Sequence, residues 1–342
     1  MRRCINKKGV ALIFAALVLV LLFLSNVFYG AVQIPFNEVL SILSGGETER
    51  EAWKIIVLET RLPQAVTAVL AGAAISVAGL LLQTLFNNPL AGPEVLGVNS
   101  GAGLGVAVVM LLAHGVLAVG GMNAAGYVAV FLGAFVGASA VMAIILLVSS
   151  MLRNKVLLLI VGVAVGYLAS SLITVLNYFA TAEGVHSYLV WGMGSFSAVS
   201  MEQLPLFAVL TTLLLAVSLL MMKPLNAILL GDAYAYSLGV NVKAVRNMLL
   251  AVVGLLTAVV TAFCGPVAFI GLAVPHMARI LLKSNNHKVL LPCTMMLGSM
   301  VALACNMVCQ LPGESGLLPL GAITPLIGAP VIIYVVLKNR NF

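Results

Sequence analysis

The stretch KPLNAILLGDAYAYSLGVNVKAVR, residues 223–246, lies between two long apolar halves of the chain and carries Lys223, Asp232, Lys243 and Arg246. Gly231 breaks the chain, Asp232 is a good N-cap, and Gly239 is a natural stop, so residues 233–238 can form a helix of under about two turns. A capped polar elbow between two membrane halves sits in water. It is either a solvated loop or a small rigid knob that docks a soluble partner, and the rest of the chain decides between them.

Hydrophobic residues make up 62% of the 342 residues and charged ones 8%, against about 25% charged in a soluble domain. The apolar runs do not alternate with polar residues as barrel strands do, so the composition predicts an all-α polytopic membrane protein. At ~20 residues per span, the length holds about ten transmembrane helices in a single domain, 1–342. The net charge of +7 reports topology rather than nucleic-acid binding. The five cysteines, Cys4, Cys264, Cys293, Cys305 and Cys309, have no framework spacing and are expected to be reduced or buried in the bilayer. Arg2, Arg3, Lys7 and Lys8 precede an apolar run long enough to span, which reads as an anchor rather than a cleaved signal.

The expected spans are 10–28, 63–86, 93–112, 124–148, 156–179, 204–222, 247–264, 269–282, 289–308 and 321–337, with an outer segment at 29–62 and the cytoplasmic elbow at 223–246. Pro93 is placed as the first residue of the third span, with Glu94 in its first turn; residues 181–202 and 311–320 are expected as loops. Alternation from a cytoplasmic N-terminus leaves only Arg50, Lys54 and Arg61 of the seventeen Lys and Arg outside, and only Glu94 and Asp232 of the ten acids inside. The positive-inside rule is satisfied, so both termini and the elbow are assigned to the cytoplasm.

No span carries a mid-membrane acid of the kind a proton- or ion-coupled carrier needs. His276 after Pro275 reads as a hydrogen-bonded packing residue, and Cys305 and Cys309 with Met307 as packing rather than a soft-metal site. Gly97, Gly101 and Gly105, the pair Gly133 and Gly137, and the pair Gly162 and Gly166 have the spacing of close helix contacts. There is no G-x-x-x-x-G-K-[ST] phosphate loop, so a nucleotide engine would have to attach from elsewhere. An ion-coupled secondary carrier and a soft-metal transporter are the competing classes.

Several segments, in order, resemble one family. Arg61-Leu62-Pro63, Leu70-Ala71-Gly72-Ala73-Ala74, Gly79-Leu80-Leu81-Leu82-Gln83, Asn88-Pro89-Leu90-Ala91-Gly92-Pro93 and Leu96-Gly97-Val98-Asn99-Ser100-Gly101-Ala102 open the series. Trp191-Gly192-Met193-Gly194-Ser195, Ser237-Leu238-Gly239-Val240, the run from Gly265 to Arg279 (GPVAFIGLAVPHMAR) and GAITPLIGAP from Gly321 to Pro330 complete it. Together they resemble the FecCD-type permeases, membrane subunits of bacterial ABC importers for iron–siderophores, haem and cobalamin.

The resemblance implies a cobalamin-importer-like (type II ABC importer) fold and a homodimer in the bacterial inner membrane. It also implies two ATPase subunits on the cytoplasmic elbows and an external substrate-binding protein. Asp232, Ala233, Tyr234, Ala235, Tyr236, Ser237, Leu238 and Gly239 are then the ATPase-coupling candidates, and Arg61 with Lys54 the binding-protein docking candidates. Asn88, Pro89, Pro93, Asn99, Ser100, Gly101, Pro275 and His276 are candidates for helix breaks and the translocation path. No catalytic residue, metal or cofactor is expected on this chain, since ATP and Mg belong to the ATPase. The sequence departs from the family at Gln64, where many members have arginine, and at Asn306 and Gln310, where aspartate and arginine are usual. The usual E-L-P-x-G reads Leu317-Leu318-Pro319-Leu320-Gly321, with the acid at Glu314.

The charge asymmetry has a direct check. An engineered cysteine replacing Glu49 is expected to react with an impermeant reagent added outside, and one replacing Asn241 is expected to stay unlabelled; strong external labelling at Asn241 would invert the orientation.

Overall fold

Helices in this chain start and stop at the polar, proline and glycine breaks, as a backbone in hydrocarbon must, because every amide has to be paired within its own helix. The computed structural model describes residues 2–112, 124–152, 154–311 and 316–338, and among these every regular element is helical. The first half comprises α1 (Arg2–Phe28), α2 (Phe36–Leu43), α3 (Glu51–Ile55), α4 (Leu62–Phe86), α5 (Val98–Leu112), α6 (Ala124–Met151), α7 (Lys155–Phe179) and α8 (Ala182–Gly192). The second half comprises α9 (Leu204–Leu220), α10 (Met222–Ile228), α11 (Asp232–Ser237), α12 (Val242–Cys264), α13 (Ile270–Leu282), α14 (His287–Cys309) and α15 (Leu320–Lys338).

Among the described residues, five helices are long and apolar enough to cross a membrane: Glu51–Phe86, Gly126–Met151, Val156–Phe179, Val242–Cys264 and His287–Cys309. The pair α9 and α10, bent by 52°, passes the same test together, and Leu12–Phe28, Val98–Leu111, Ile270–Leu282 and Leu320–Tyr334 are shorter apolar helices. Each expected span therefore has an apolar helix at its place.

α4 is the centre. It is apolar on all faces, as a helix enclosed by others must be, and 83% of its most apolar window is buried against 22% for α7. α1, α9, α12, α13 and α14 all pack on it. The approach to α14 is backbone to backbone: a Cβ at Gly72 would strike the Gly298 carbonyl and lie 2.6 Å from Ala302 Cβ. Gly79 meets Gly271 of α13 in the same way. The glycine repeats read from the sequence are packing seams too. Gly101 and Gly105 of α5 abut Gly137 and Gly133 of α6, and Gly97 abuts Gly162 of α7.

Two expectations need correction. The third span does not begin at Pro93: Pro93–Leu96 is a 3-10 turn, Gly97 follows at φ 71°, and α5 starts at Val98. The backbone turns there because Leu96 and Gly97 lie against Gly162, where a Cβ would sit 2.8 Å from the Val95 carbonyl. The outer segment 29–62 holds the separate helix α2, and after the non-helical residues 44–50, α3 and a π-helical turn, Ile56–Arg61, run continuously into α4. Residues 182–192, expected as loop, form α8, whose first turn is capped by Thr181 Oγ1 accepting from Gly184 N–H. Glu314 lies outside the described residues.

The seam between α5 and α6 predicts a graded response. A Cβ at Gly105 would collide with the Gly133 carbonyl, whereas one at Gly192 meets nothing within 4 Å. Gly105→Val is expected to lower stability by ~1–3 kcal/mol and to cut the yield of monodisperse protein, with Gly192→Ala silent in the same thermal-unfolding assay.

Candidate functional site

The elbow is built on α10. Leu225 and Ile228 are buried and pack α10 onto α4 and α14. Gly231 then takes φ 106° and ψ 150°, a conformation open to glycine alone, and so occupies the cap position that Asp232 was expected to hold. Asp232 is instead the first helical residue, where its carboxylate still meets the positive end of the helix dipole. At the other end the sequence reading holds. Gly239 has φ 78°, its N–H donates to Tyr236 O at 2.9 Å, and Val240 N–H donates to Ala235 O at 3.1 Å, a Schellman closure. Ser237 Oγ donates to Tyr234 O at 2.8 Å.

The knob that results has one buried residue, Ala235, and an outward set of Ala233, Tyr234, Tyr236, Ser237 and Leu238. Tyr236 is 77% exposed and Leu238 58%. Tyr234, Tyr236 and Leu238 are thus displayed on a short helix bounded by Gly231 and Gly239.

A second constellation forms where α4 ends. Asn87 closes the helix in the left-handed region at φ 46°. Asn88 Oδ1 then accepts from Leu90 N–H at 2.9 Å, and His276, buried in α13 one residue after Pro275, donates from Nε2 to Pro89 O at 2.7 Å. Next to Pro93, the Glu94 carboxylate accepts from Phe269 N–H at 3.4 Å. Burial raises the Glu94 carboxyl above its ordinary pKa, and the backbone hydrogen bonds oppose that only in part. The structure thus brings Asn88, Pro89, Pro93, Pro275 and His276 together. Asn99 and Gly101 do not join them: Asn99 accepts from Thr261 Oγ1 at 2.9 Å, tying α5 to α12, and Gly101 packs on α6. Ser100 lines a small cleft between α5 and α7 with Glu94, Tyr167 and Ser170.

On the outer segment, Lys54 is exposed on α3, but Arg61 is not available for docking. Its side chain is 4% exposed, and its guanidinium donates to Val27 O at 3.2 Å, to Phe28 O at 2.9 Å and to Val32 O. Arg61 closes the C-terminus of α1, where orphan carbonyls and the negative helix end attract a cation. Three of the departures from the family pattern, Gln64, Asn306 and Gln310, form one cluster. Gln64 Nε2 donates to Asn306 Oδ1 at 2.9 Å, Asn306 Nδ2 donates to Asn26 Oδ1 at 2.8 Å, and Gln310 Nε2 donates to Gln64 Oε1 at 3.3 Å.

Two features lay beyond sequence reasoning. The Trp191–Ser195 loop, the Gly265–Pro266 break and the start of α15 converge, with Ser195 N–H on Cys264 O at 2.8 Å and Gly321 N–H on Met193 O at 2.7 Å. Beside this junction a cavity of about 580 Å³ is lined by Tyr127, Phe131, Trp191, Phe263, His186 and Gln203 among others. Its walls at Phe131 and Phe263 come from unbroken apolar runs, which give no periodic sign of facing a void. Among the described residues no group of three or more His, Cys, Asp or Glu could hold a metal ion, and Cys305 and Cys309 are buried free thiols.

The chain is thus a multi-pass helical protein with a short exposed helix, α11, between its halves. Residues 17–338 match the FecCD transport family, and the chain belongs to that family as a transport component, not an enzyme. It is 35% identical over 296 residues to the vitamin B12 import system permease protein BtuC of Klebsiella pneumoniae subsp. pneumoniae, covering 86% of each chain. It is 34% identical over 299 residues to BtuC of Escherichia coli O9:H4, covering 87% of this chain and 89% of that one. A chain solved in an inward-facing conformation and described as a metal-chelate type ABC transporter superposes with a TM-score of 0.83 at 27% identity, over 96% of this chain and 98% of that one.

The buried position of Arg61 makes its removal a stability effect. Arg61→Ala leaves three carbonyls without their donor and is expected to lower unfolding stability by ~1–3 kcal/mol. Arg50→Ala and Lys54→Ala, on exposed side chains, are expected to leave the thermal midpoint of the detergent-solubilised protein in place.

Proposed function

We propose that this chain is the permease of a binding-protein-dependent importer that carries a metal-chelate or cobalamin-type cargo, an iron–siderophore, haem or cobalamin, across the bacterial inner membrane. It works as a homodimer of ten-span subunits with both termini in the cytoplasm. An ATPase subunit, which binds ATP and Mg, docks on the α11 knob of each protomer, and a substrate-binding protein delivers cargo outside. The relatives named for vitamin B12 import and the metal-chelate type transporter support the cargo class. Family membership sets aside the ion-coupled carrier and soft-metal readings.

The observation that carries the coupling role is the glycine-closed knob with Tyr234, Tyr236 and Leu238 turned outward. Its shape depends on Gly239 at φ 78°, where a β-carbon would have nothing within 4 Å, so a substitution there tests backbone conformation without a clash. A β-branched residue resists that conformation by roughly 1–2 kcal/mol, whereas asparagine tolerates it. Gly239→Val is expected to reduce co-purification with the ATPase subunits and substrate-stimulated ATP hydrolysis together, at near-normal expression, and Gly239→Asn to retain both. Normal association and hydrolysis in Gly239→Val would defeat the docking assignment.

A further inference from the structure

The helix that seats the knob is tied to the centre of the fold through one histidine. Asn226 lies on α10, on the chain just before α11. Its Oδ1 accepts from His287 N–H at 2.9 Å and stands 2.9 Å from His287 Nδ1. Its Nδ2 donates to Asn286 Oδ1 at 3.0 Å, and that oxygen also caps α14 by accepting from Lys288 N–H at 3.0 Å. Two backbone N–H groups therefore fix both amide orientations, so Nδ1 of His287 must carry a proton and donate. His287 Nε2 is 2.8 Å from Thr84 Oγ1, in the last turn of α4, and that hydroxyl also reaches Leu80 O at 3.0 Å. His287 is 1% exposed and Thr84 3%, so neither hydrogen bond has water to replace it.

Thr84 sits three residues before Asn87, where the chain leaves α4 for the Asn88–Pro93 break. Next to Thr84, Gln83 Oε1 accepts from Arg279 of α13 at 2.5 Å, and the break itself is held by His276 on Pro89 O. A displacement of α10 thus has a short polar route to the end of α4 and the break.

We propose that Asn226, His287 and Thr84 are positioning residues that transmit movement of the ATPase-docked knob to the Asn88–Pro93 break. The proposal rests on the permease reading above. The imidazole acts as a rigid two-ended spacer: Nδ1–H holds α10 through Asn226, and Nε2 holds α4 through Thr84. An apolar residue would pack at the same place but would leave the two helices free to slide, whereas a doubly hydrogen-bonded ring fixes their register.

The test uses two cysteine reporters in the full complex with its ATPase subunits, Ser237→Cys on the knob and Leu90→Cys in the break, both exposed positions. Maleimide labelling rates are compared without nucleotide and with ATP plus vanadate. With the relay intact, both rates are expected to change on ATP binding, by about threefold or more. In Thr84→Val, which keeps shape and removes the hydroxyl, the Leu90 response should vanish while the Ser237 response persists. Thr84→Ser should restore it. His287→Leu should behave like Thr84→Val, and the double variant should be no worse than either, since both cut one route. A Leu90 response that survives in Thr84→Val and His287→Leu, or that Thr84→Ser fails to restore, overturns the relay. Failure of the ATPase to co-purify with the parent protein, or absence of any Ser237 response in it, overturns instead the permease reading.

Discussion

The contact between α4 and α14 at Gly72 and Gly298 leaves no room for a β-carbon on either helix, and the fold depends on it. In hydrocarbon there is little hydrophobic gain from bringing helices together, so association rests on van der Waals contact and on the few polar bonds that cross. Both require the helix axes to be close. Once Gly72 and Gly298 meet, Ser76 Oγ can donate to Thr294 O at 3.0 Å, and Ser299 Oγ to Val69 O at 2.7 Å. Gly79 then repeats the arrangement with α13. With α4 clasped on two sides, its ends are placed, and with them the amide cluster at its start and the Asn88–Pro93 break at its end.

Much of this was legible because it depends on chain-local rules. Apolar length gave the positions of the apolar helices, and glycines four residues apart marked the seams that the structure closes. Gly239 was legible because a helix that stops on glycine needs a left-handed residue. The misreadings share a cause. Asp232 is a good cap by type, but Gly231 before it can adopt a backbone conformation that aspartate cannot, and the cap position moved by one. Pro93 is a good first helical residue, but crowding by Gly162 displaced the start of α5. Arg61 was a docking candidate through the resemblance, which implied an exposed charge. Its burial follows from where α1 ends, some thirty residues away in sequence, and no local pattern encodes that. The cavity walls at Phe131 and Phe263 were equally silent, since a span greasy on every face does not declare which face meets empty space.

The amide cluster recasts the departures from the family. Gln64, Asn306 and Gln310 stand where arginine, aspartate and arginine are usual in the resemblance, and read singly they are unrelated departures. In the structure they touch one another and Asn26. Replacing all three charges with amides keeps the hydrogen bonds and removes the desolvation cost of buried ions, whereas replacing any one alone would strand a charge. In this chain the three amides hold α1, α4 and α14 together beside the start of α4. Arg61 serves the same end from its own position.

The doubly glycine-bounded knob has an entropic consequence. A helix of six residues does not persist in water unaided, and a segment that folded only on contact would lose conformational freedom at each engagement. Here the ordering is complete beforehand: Gly231 and Gly239 set both ends, Ala235 anchors the middle, and tyrosine presents a large contact area with few rotatable bonds. A partner meeting this surface gains contact without a disorder-to-order transition. Under the proposed docking, binding and release repeat with little energy lost to refolding.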